Sequence, residues 1–416
     1  MGATCVKWIA PLEYYNVMKT ISIILLIILI LCSCASKATI PENSTGQPAN
    51  IVAFGKSKKY TKNGITVIYL SGSPYEIGLA HGKLCKEEII EAHEYYLSIY
   101  DNAEWVDYWR GWLNLAKHVE KFIPKEYIEE MQGIGDGSGL GYDRILFLNL
   151  LTTIARRSGC FAFAFKESNS LIHIVRQIDL GLEQTLWRKM VLFIVKPEKG
   201  FSFAAFLNPG WVDGETGMNE NGIYISQNAI HIRQTKWDVM PITHLTRYML
   251  QYSATINDIE NILKEQKAFP VKLLFVGSGK NASVFEFAND EKARIDMENG
   301  FLALSNHARL LPSRNILGNS QKRLVYANKY LKENIDSMDI EKALKLVKSS
   351  RISSFWRNGF QNRQSLLFSP STLDFLIAIP PQSKIKPACS GPYVKFNLLN
   401  ELSIFENLKK SHITCR

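Results

Sequence analysis

The sequence of 416 residues lacks the patterns that identify several common classes of protein. Its cysteines and histidines do not cluster at the spacings of zinc ligands, so we expect no metal site, and no motif calls for a cofactor. It has no basic run and no RNA-binding signature, although 49 lysines and arginines outnumber 39 aspartates and glutamates. The net charge of +10 therefore indicates a solvated surface rather than a nucleic-acid-binding one, and such a surface can also attract anionic lipid headgroups.

The N-terminal region also lacks an apolar run that is long enough to cross a bilayer. The run over residues 21–31 has eleven residues, which suits the core of a signal peptide. The stretch "LCSC" that ends at Cys34 resembles a bacterial lipobox, in which the last cysteine is lipidated. We therefore expect an exported protein that is anchored through a lipid on Cys34 to the membrane of the bacterial cell envelope.

Changes in composition divide the chain into four parts. Residues 1–33 are the predicted signal peptide, with Met18 as the expected start, because the residues before it carry aromatics and a single lysine. Residues 34–62 include a small, polar stretch with prolines, which predicts a flexible tether. A mainly helical part is expected over residues 63–159, and a part rich in strands over residues 160–416.

A helix with two glycines is predicted early in the helical part. Ser73 and Glu76 form a capping box in "GSPYEIGLAHGKL", with proline at the first helical position. Gly78 and Gly82 are four residues apart on one face of this helix, where they would let another element approach closely. His81 lies beside them, and we expect a packed or capping histidine rather than a catalytic one.

The order of the predicted elements indicates an α+β fold. Strands are predicted at "MVLFIV", "GFSFAAFLN", "GIYISQNAI", "VKLLFVGSGKNASVFEF", "GFLALSNH" and "SLLFSPSTLDFLIAIP". Helices are predicted between them, around residues 241–267, 320–333 and 340–350. Two stacked antiparallel sheets between two layers of helices would accommodate this order.

Alternating residues on either side of a polar turn predict a β-hairpin that begins at Cys160. Cys160 shares its face of the first strand with two alanines, which leaves room for a substrate. Arg176 shares its face of the return strand with isoleucines, and a buried guanidinium must be paired or functional. If the turn centres near Asn169, Arg176 and Asp179 lie within a residue or two of Cys160, although a one-residue slip would exchange the faces. A surface pair of Arg176 with Asp179 is the alternative.

Cysteine pairing offers a second interpretation of Cys160. Downstream of the lipobox the chain has four cysteines, at positions 85, 160, 389 and 415. In an oxidising compartment these could form two disulfides. The small side chains around Cys160 argue against this pairing and favour a reactive thiol.

Six short motifs occur in an order that is typical of one enzyme family. They are "GSPYEIGLAHGKL", "GIGDGSGLGYDRILFLN", Gly159-Cys160, "RQIDLG", "GMNENGIYISQN" and "LSNH". The sequence thereby resembles the isopenicillin N acyltransferase-like family of cysteine N-terminal-nucleophile (Ntn) hydrolases, which is related to choloylglycine hydrolases and penicillin V acylases. The resemblance covers most of residues 65–380 and implies the four-layer αββα Ntn-hydrolase fold.

The resemblance further implies a precursor that cuts itself before a cysteine and yields an α and a β chain. Cys160 matches the new N-terminal nucleophile, and Gly159 matches the residue before the cut. The other matches are Arg176 and Asp179 beside the nucleophile, Asn228 in the oxyanion hole, Asn306 as a second active-site asparagine, and Arg323 as a substrate-binding arginine. Phe161 departs from the family, which usually has threonine or serine after the nucleophile.

These residue types suit thiol chemistry on a linear amide of a small acyl or peptidyl compound. Once free, the α-amino group of Cys160 has an ordinary pKa of about 7.7–8.0 and can take the thiol proton. Arg176 would favour the thiolate, and Asp179 would hold the ammonium. Asn228 would donate to the oxyanion, which is worth roughly 3–4 kcal/mol in comparable sites.

Two other functions stay open from the sequence. One is an unprocessed thiol hydrolase that uses a Cys160–His307 dyad. The other is a surface lipoprotein without catalytic activity that binds a ligand in the same cleft. In that case Asn228 and Asn306 would be ordinary asparagines at strand ends.

The lipobox generates the first prediction. We expect a fatty-acid analogue fed to the producing cells to label the wild-type protein and not Cys34→Ala, because only a thiol at this position can carry the lipid. Cys32→Ala is the matched control and should be labelled like the wild type. Equal labelling of wild type and Cys34→Ala would contradict the anchor.

Overall fold

A computed structural model describes residues 48–100, 106–154, 159–181, 190–230, 234–311, 319–353, 360–380 and 386–404. These residues belong to one structural unit, Glu42–Arg416. The predicted signal peptide and its lipidation site, Cys34, lie outside the described residues, as does Cys415. No helix in the described ranges is both long and apolar enough to cross a membrane.

Sixteen strands form two sheets in the described part of the chain. The first sheet contains β1 (Ala49–Phe54), β2 (Ser57–Lys62), β3 (Ile65–Gly72), β6 (Val191–Pro197), β7 (Phe203–Leu207), β8 (Thr216–Asn219), β9 (Tyr224–Asn228), β10 (Phe269–Gly277), β11 (Ala282–Asn289) and β12 (Glu291–Asp296), in that spatial order. Its neighbouring strands are antiparallel except for the parallel pair β3 and β6.

The second sheet has six antiparallel strands. They are β4 (Gly159–Lys166), β5 (Ile172–Gly181), β13 (Phe301–Leu304), β14 (Phe360–Ser369), β15 (Asp374–Ala378) and β16 (Val394–Asn397). Their spatial order is β13-β4-β5-β14-β15-β16, so the predicted hairpin β4–β5 lies inside the sheet and not at its edge.

Ten helices in the described ranges cover the sheets. They are α1 (Pro74–Leu84), α2 (Lys86–Tyr100), α3 (Val106–Val119), α4 (Lys125–Ser138), α5 (Tyr142–Ile154), α6 (Ile242–Tyr252), α7 (Ile256–Lys264), α8 (Ser320–Asn334), α9 (Ile340–Lys348) and the short α10 (Ser350–Ser353). The described residues of the helical part predicted over residues 63–159 contain five helices and the strand β3.

Three hydrophobic layers show how these elements stack. The first lies between α1–α7 and one face of the ten-stranded sheet, and it includes Ile225 of β9. The second lies between the two sheets, where Ile174 of β5 and Phe275 of β10 belong to one cluster. The third joins Phe163 of β4 to Leu331 of α8, on the outer face of the six-stranded sheet. The predicted α+β fold, with two sheets between two helical layers, is confirmed.

The structure corrects the predicted boundary of the tether. Residues 49–62 form β1 and β2 instead of a flexible segment. The reason lies in β2, where Tyr60 is 2% exposed and donates a 2.6 Å hydrogen bond to Glu401, which also pairs with Lys62. The lysines around Tyr60 hide this buried position in the sequence. The short strands β8, β12 and β16 were also not predicted.

The hairpin has the register that the sequence predicts. Cys160 lies opposite Ile178, and Ala162 lies opposite Arg176. Ala162 packs in the layer between the sheets, whereas Phe161 packs in the outer layer against the helices. Since side chains alternate along a strand, Cys160 and Arg176 share the face that points into the layer between the sheets.

Glycines bring α1 and α4 into direct backbone contact. A side chain at Gly78 would overlap the main-chain carbonyl of Glu130, and one at Gly82 would lie 2.5 Å from the carbonyl oxygen of Ile134. The helix begins as predicted, with the Ser73 capping box and proline in its first turn. The predicted close approach at this glycine pair is confirmed.

This contact generates a prediction for stability. We expect Gly78→Ala to lower the free energy of unfolding by about 1–3 kcal/mol, because the helices must separate to admit the methyl group. Gly111→Ala on α3 is the matched control, since Gly111 is exposed and no atom would meet its new methyl group. This control should be neutral or up to about 1 kcal/mol more stable. Denaturant unfolding measures both, and equal stabilities would contradict the tight contact.

Candidate active site

The thiol of Cys160 lies at the start of β4 and is 1% exposed. Its sulfur accepts a hydrogen bond from Nη2 of Arg176 at 3.3 Å and another from the main-chain N–H of Ala229, just after β9. The main-chain N–H of Cys160 donates to Oδ1 of Asn306 at 2.8 Å. Groups from both sheets and from the segment after β13 therefore meet at this one residue.

Arg176 connects the two sheets. Its side chain leaves β5 and donates to Oδ1 of Asn228 and to the main-chain carbonyl of Gln227, both on β9. It is 0% exposed, so each of these acceptors offsets part of the cost of burying its charge. The prediction of a paired guanidinium is confirmed, and the alternative of a surface pair with Asp179 is wrong, because both side chains are fully buried.

Two asparagines tie the end of β9 to the segment after β13. Nδ2 of Asn228 donates to the carbonyl of Ser305 at 3.1 Å, and Nδ2 of Asn306 donates to the carbonyl of Ala229 at 2.8 Å. Both side chains are buried. The sequence prediction that Asn228 and Asn306 lie at one site with Cys160 agrees with these distances, whereas a donation from Asn228 to an oxyanion stays a prediction.

Asp179 and Arg323 form a buried ion pair on the other face of the hairpin. Asp179 lies opposite Gly159, and its Oδ2 is 2.9 Å from Nη2 of Arg323 on α8. The Arg323 guanidinium also lies over the ring of Phe161, 5.4 Å from its centroid. Phe161 belongs to the outer layer, so this pair and the thiol lie on opposite sides of β4. The predicted substrate contact of Arg323 stays a prediction.

The surroundings of Cys160 act on its pKa in opposite senses. Burial raises the pKa of the thiol, the Arg176 guanidinium lowers it, and the negative charges of Glu215 and Asp179 raise it further. Burial also raises the pKa of Asp179, which the adjacent Arg323 opposes. The thiol is therefore protonated at neutral pH in the uncut chain, and a base is needed before it can attack a carbonyl.

The two histidines considered from the sequence have other partners. Nδ1 of His307 lies 2.7 Å from Oγ of Ser320, which also accepts the main-chain N–H of Asn306. His81 packs as predicted: its Nε2 accepts the N–H of Gly210 at 2.9 Å, and burial lowers the pKa of the ring to about 3.

The described cysteines carry free thiols, at positions 85, 160 and 389. The interpretation of Cys160 as half of a disulfide with either of the other two is therefore wrong. Within the described ranges, no group of three or more histidine, cysteine, aspartate or glutamate side chains could hold a metal ion.

Sequence reasoning missed the main-chain partners of the site. The Gln227 carbonyl, the Ala229 N–H and the Ser305 carbonyl each accept from or donate to a predicted site residue. Asn362 was also missed, and its Nδ2 lies 3.5 Å from Oδ1 of Asp179. No sequence signal identifies the first three, because any residue can supply a main-chain carbonyl or N–H. Asn362 lies opposite Asp179 only through the pairing of β14 with β5, which the sequence does not specify.

The model of one protein family matches half of the chain. The family is described as acyl-coenzyme A:6-aminopenicillanic acid acyl-transferase, and the match covers residues 166–377, which are 212 (377 − 165) of 416 residues. The matched segment contains five of the predicted site residues, Arg176, Asp179, Asn228, Asn306 and Arg323. It begins after Cys160.

Three relatives show similar levels of identity. An uncharacterized protein of Archaeoglobus fulgidus is 29% identical over 56% of this chain and 45% of its own length. Protein dcd1B of Dictyostelium discoideum is 24% identical over 61% of this chain and 57% of its own length. The 40 kDa form of acyl-coenzyme A:6-aminopenicillanic-acid-acyltransferase of Emericella nidulans is 23% identical over 58% of this chain and 68% of its own length. The chain thus spans about half the length of the first two.

Two solved structures are similar at low identity. The Caenorhabditis elegans ortholog of N-acylethanolamine-hydrolyzing acid amidase has a TM-score of 0.43 and 15% identity, over 57% of this chain and 99% of that one. A mutant of the conjugated bile acid hydrolase from Clostridium perfringens has a TM-score of 0.43 and 8% identity, over 58% of this chain and 93% of that one.

The buried ion pair generates a prediction. We expect Arg323→Met to lower the free energy of unfolding by about 3–5 kcal/mol, because it leaves the Asp179 carboxylate buried without its cation. Lys329→Met on the same helix is the matched control, since it removes an exposed pair with Glu333 and should change stability by about 0–1 kcal/mol. Denaturant unfolding of both variants decides the point. A loss in Arg323→Met no larger than in the control would contradict the pair.

Proposed function

Because the chain belongs to the acyl-coenzyme A:6-aminopenicillanic acid acyl-transferase family, we propose that it is a self-processing cysteine amidohydrolase or acyltransferase with Cys160 as its nucleophile. The substrate is a linear amide of a small acyl or peptidyl compound. One observation carries this proposal: the Cys160 sulfur accepts from Arg176, while the nitrogen that would become its free amine is held by Asn306 at 2.8 Å.

Self-cleavage uses the same thiol. The Cys160 sulfur attacks the carbonyl carbon of Gly159, the C–N bond between the two residues breaks, and the nitrogen takes up the proton that the thiol loses. The product is a thioester of Gly159, and water then hydrolyses it to a free carboxylate and the thiol. Glycine before the cysteine leaves the attacked carbonyl unshielded, and pairing of Gly159 with Asp179 fixes the backbone there.

In turnover the freed α-amino group supplies the base that the buried thiol needs. This amino group takes the proton of the Cys160 thiol, and Arg176 stabilises the resulting thiolate. The thiolate attacks the amide carbonyl of the substrate, and the C–N bond of the amide breaks. The amine part of the substrate leaves with the proton that the α-amino group had taken, and a thioester on Cys160 remains. Water completes an amidohydrolase cycle, and an amine completes an acyltransferase cycle.

The hydrogen bonds favour this mechanism over the dyad of Cys160 with His307. Nδ1 of His307 bonds to Ser320 at the start of α8, whereas the thiol bonds to Arg176 and Ala229. A lipoprotein that only binds a ligand is opposed by the burial of Arg176 beside the thiol, since a ligand-binding surface does not need that cost. Export with a lipid on Cys34 is part of the same proposal and rests on the lipobox alone.

The proposal predicts two chains in the purified protein. The β chain would be residues 160–416, which is 257 (416 − 159) residues, and N-terminal sequencing should find Cys160 as its first residue. Cys160→Ala should remain a single chain without amidase activity, because no thiol is present. Cys160→Ser should cleave more slowly, because a hydroxyl keeps the geometry but is the poorer nucleophile.

A thiol elsewhere in the core provides the matched control. Cys85→Ala should be processed and active like the wild type, because Cys85 packs in the layer between the helices and the ten-stranded sheet and the charges that act on its thiol belong to no site residue. A panel of N-acyl amides with product mass analysis then identifies the acyl group and the acceptor. An active wild-type enzyme whose 159–160 bond is intact would refute self-processing and favour the dyad with His307.

A further inference from the structure

A polar network lies behind the carbonyl that receives Arg176. Gln227 lies between Ser226 and Asn228 on β9, so its side chain points away from the layer between the sheets and toward the helices. There its Nε2 donates to Oδ1 of Asp213 at 3.0 Å and to Oγ1 of Thr246 at 2.9 Å. One residue thus presents its main-chain carbonyl to Arg176 and anchors its side chain on the opposite face.

Asp213 is the ionisable member of this network and is 1% exposed. It lies between β7 and β8, and its Oδ1 also accepts from Oγ1 of Thr246 at 3.1 Å. Gly214 makes this contact possible, because a side chain there would lie 2.7 Å from the main-chain carbonyl of Thr246 on α6. The close approach of the segment to α6 therefore places the carboxylate beneath the end of β9.

The proposed mechanism does not use this carboxylate, although its burial is costly. Burial and the charge of Glu215 raise the pKa of Asp213 to about 7, although Thr246, the Gly214 N–H and Lys272 oppose the rise. An apolar side chain at this position would avoid the free-energy cost of burying an ionisable group, so a buried aspartate there requires a reason. Gln227 is its hydrogen-bonded link to the carbonyl that receives Arg176. Lys272 lies close enough for the charges of Asp213, Cys160 and Arg176 to act on it.

The distances on both faces of β9 define a chain of contacts. It runs from Thr246 and Asp213 to the side chain of Gln227, then from the Gln227 carbonyl to Arg176, and from Arg176 to the Cys160 sulfur. Only the last contact involves the reacting atom. Loss of the Asp213 anchor would let the end of β9 move and would weaken the hold on the guanidinium.

We propose that Asp213 is a positioning residue for the thiol. By holding the side chain of Gln227, it fixes the carbonyl that orients Arg176, and Arg176 in turn stabilises the Cys160 thiolate. The inference rests on the proposed role of Cys160 as nucleophile, but its first consequence concerns the thiol alone and needs no substrate. Removal of the anchor raises the pKa of the thiol, because Arg176 lowers that pKa through its charge.

The test measures alkylation of Cys160 by iodoacetamide as a function of pH in the full chain. Peptide mass analysis separates Cys160 from the other thiols, and rates are compared between samples in the same processing state. Asp213→Ala should shift the apparent pKa of the thiol upward by about one unit, which makes alkylation at neutral pH about tenfold slower. Asp213→Asn keeps an acceptor oxygen and should recover the rate to within about threefold.

A second variant tests the route through Gln227. Gln227→Leu removes the anchored side chain but keeps the main-chain carbonyl, so it should show the same loss as Asp213→Ala. The double variant should lose no more than either single variant, because both break one chain of contacts. Asp238→Ala is the control, since Asp238 is exposed and pairs with His118 on the surface. It should be alkylated like the wild type.

The outcomes separate this inference from the proposed function. If wild-type Cys160 forms an acyl-enzyme and Asp213→Ala loses kcat with an unchanged KM, both hold. If Asp213→Ala or Gln227→Leu is alkylated as fast as the wild type, the positioning role is overturned. Losses that add up in the double variant overturn it as well. If Asp213→Ala does not fold, Gln227→Leu decides alone. A wild type that never acylates Cys160 overturns the proposed function and leaves the alkylation test valid.

Discussion

The guanidinium of Arg176 is the interaction on which the candidate site depends. It leaves the six-stranded sheet, crosses the layer between the sheets and ends on the Asn228 side chain and the Gln227 carbonyl of the ten-stranded sheet. A buried charge of this kind is stable only while its acceptors stay in place, so the spacing of the two sheets and the geometry of the thiol are linked. The apolar residues around it, such as Ile174 and Phe275, hold the sheets together but do not fix this spacing to a hydrogen-bond length.

Two electrostatic interactions of the site lie on opposite faces of the β4–β5 hairpin. On the inner face, Arg176 opposes the rise in the pKa of the Cys160 thiol that burial causes. On the outer face, Arg323 opposes the rise in the pKa of the Asp179 carboxyl that burial causes. Because successive residues of a strand alternate between faces, two cation–acceptor systems can lie within a few residues of each other without direct contact.

Much of this arrangement could be predicted from local sequence patterns. The alternation around Cys160 and the position of the turn gave the register of the hairpin, and the capping box gave the start of α1. Long-range contacts through the main chain could not be predicted, because any residue can supply a carbonyl or an N–H. Gln227 and Ala229 therefore looked ordinary in the sequence. The prediction of the tether was wrong for a related reason: the burial of Tyr60 depends on Glu401, at the far end of the chain.

The state of the Cys160 nitrogen links the uncut chain to the proposed enzyme. In the structure this nitrogen is an amide, and its single N–H donates to Oδ1 of Asn306. Cleavage would turn it into an amine at the same place, with the same acceptor beside it and Asn306 still tied to Ala229 by its Nδ2. An amine that is held on one side keeps its lone pair in a restricted set of directions, which is what transfer of the thiol proton requires. The hydrogen bonds that hold the uncut peptide in place would thus also orient the base that its cleavage creates, without any rearrangement of the sheets.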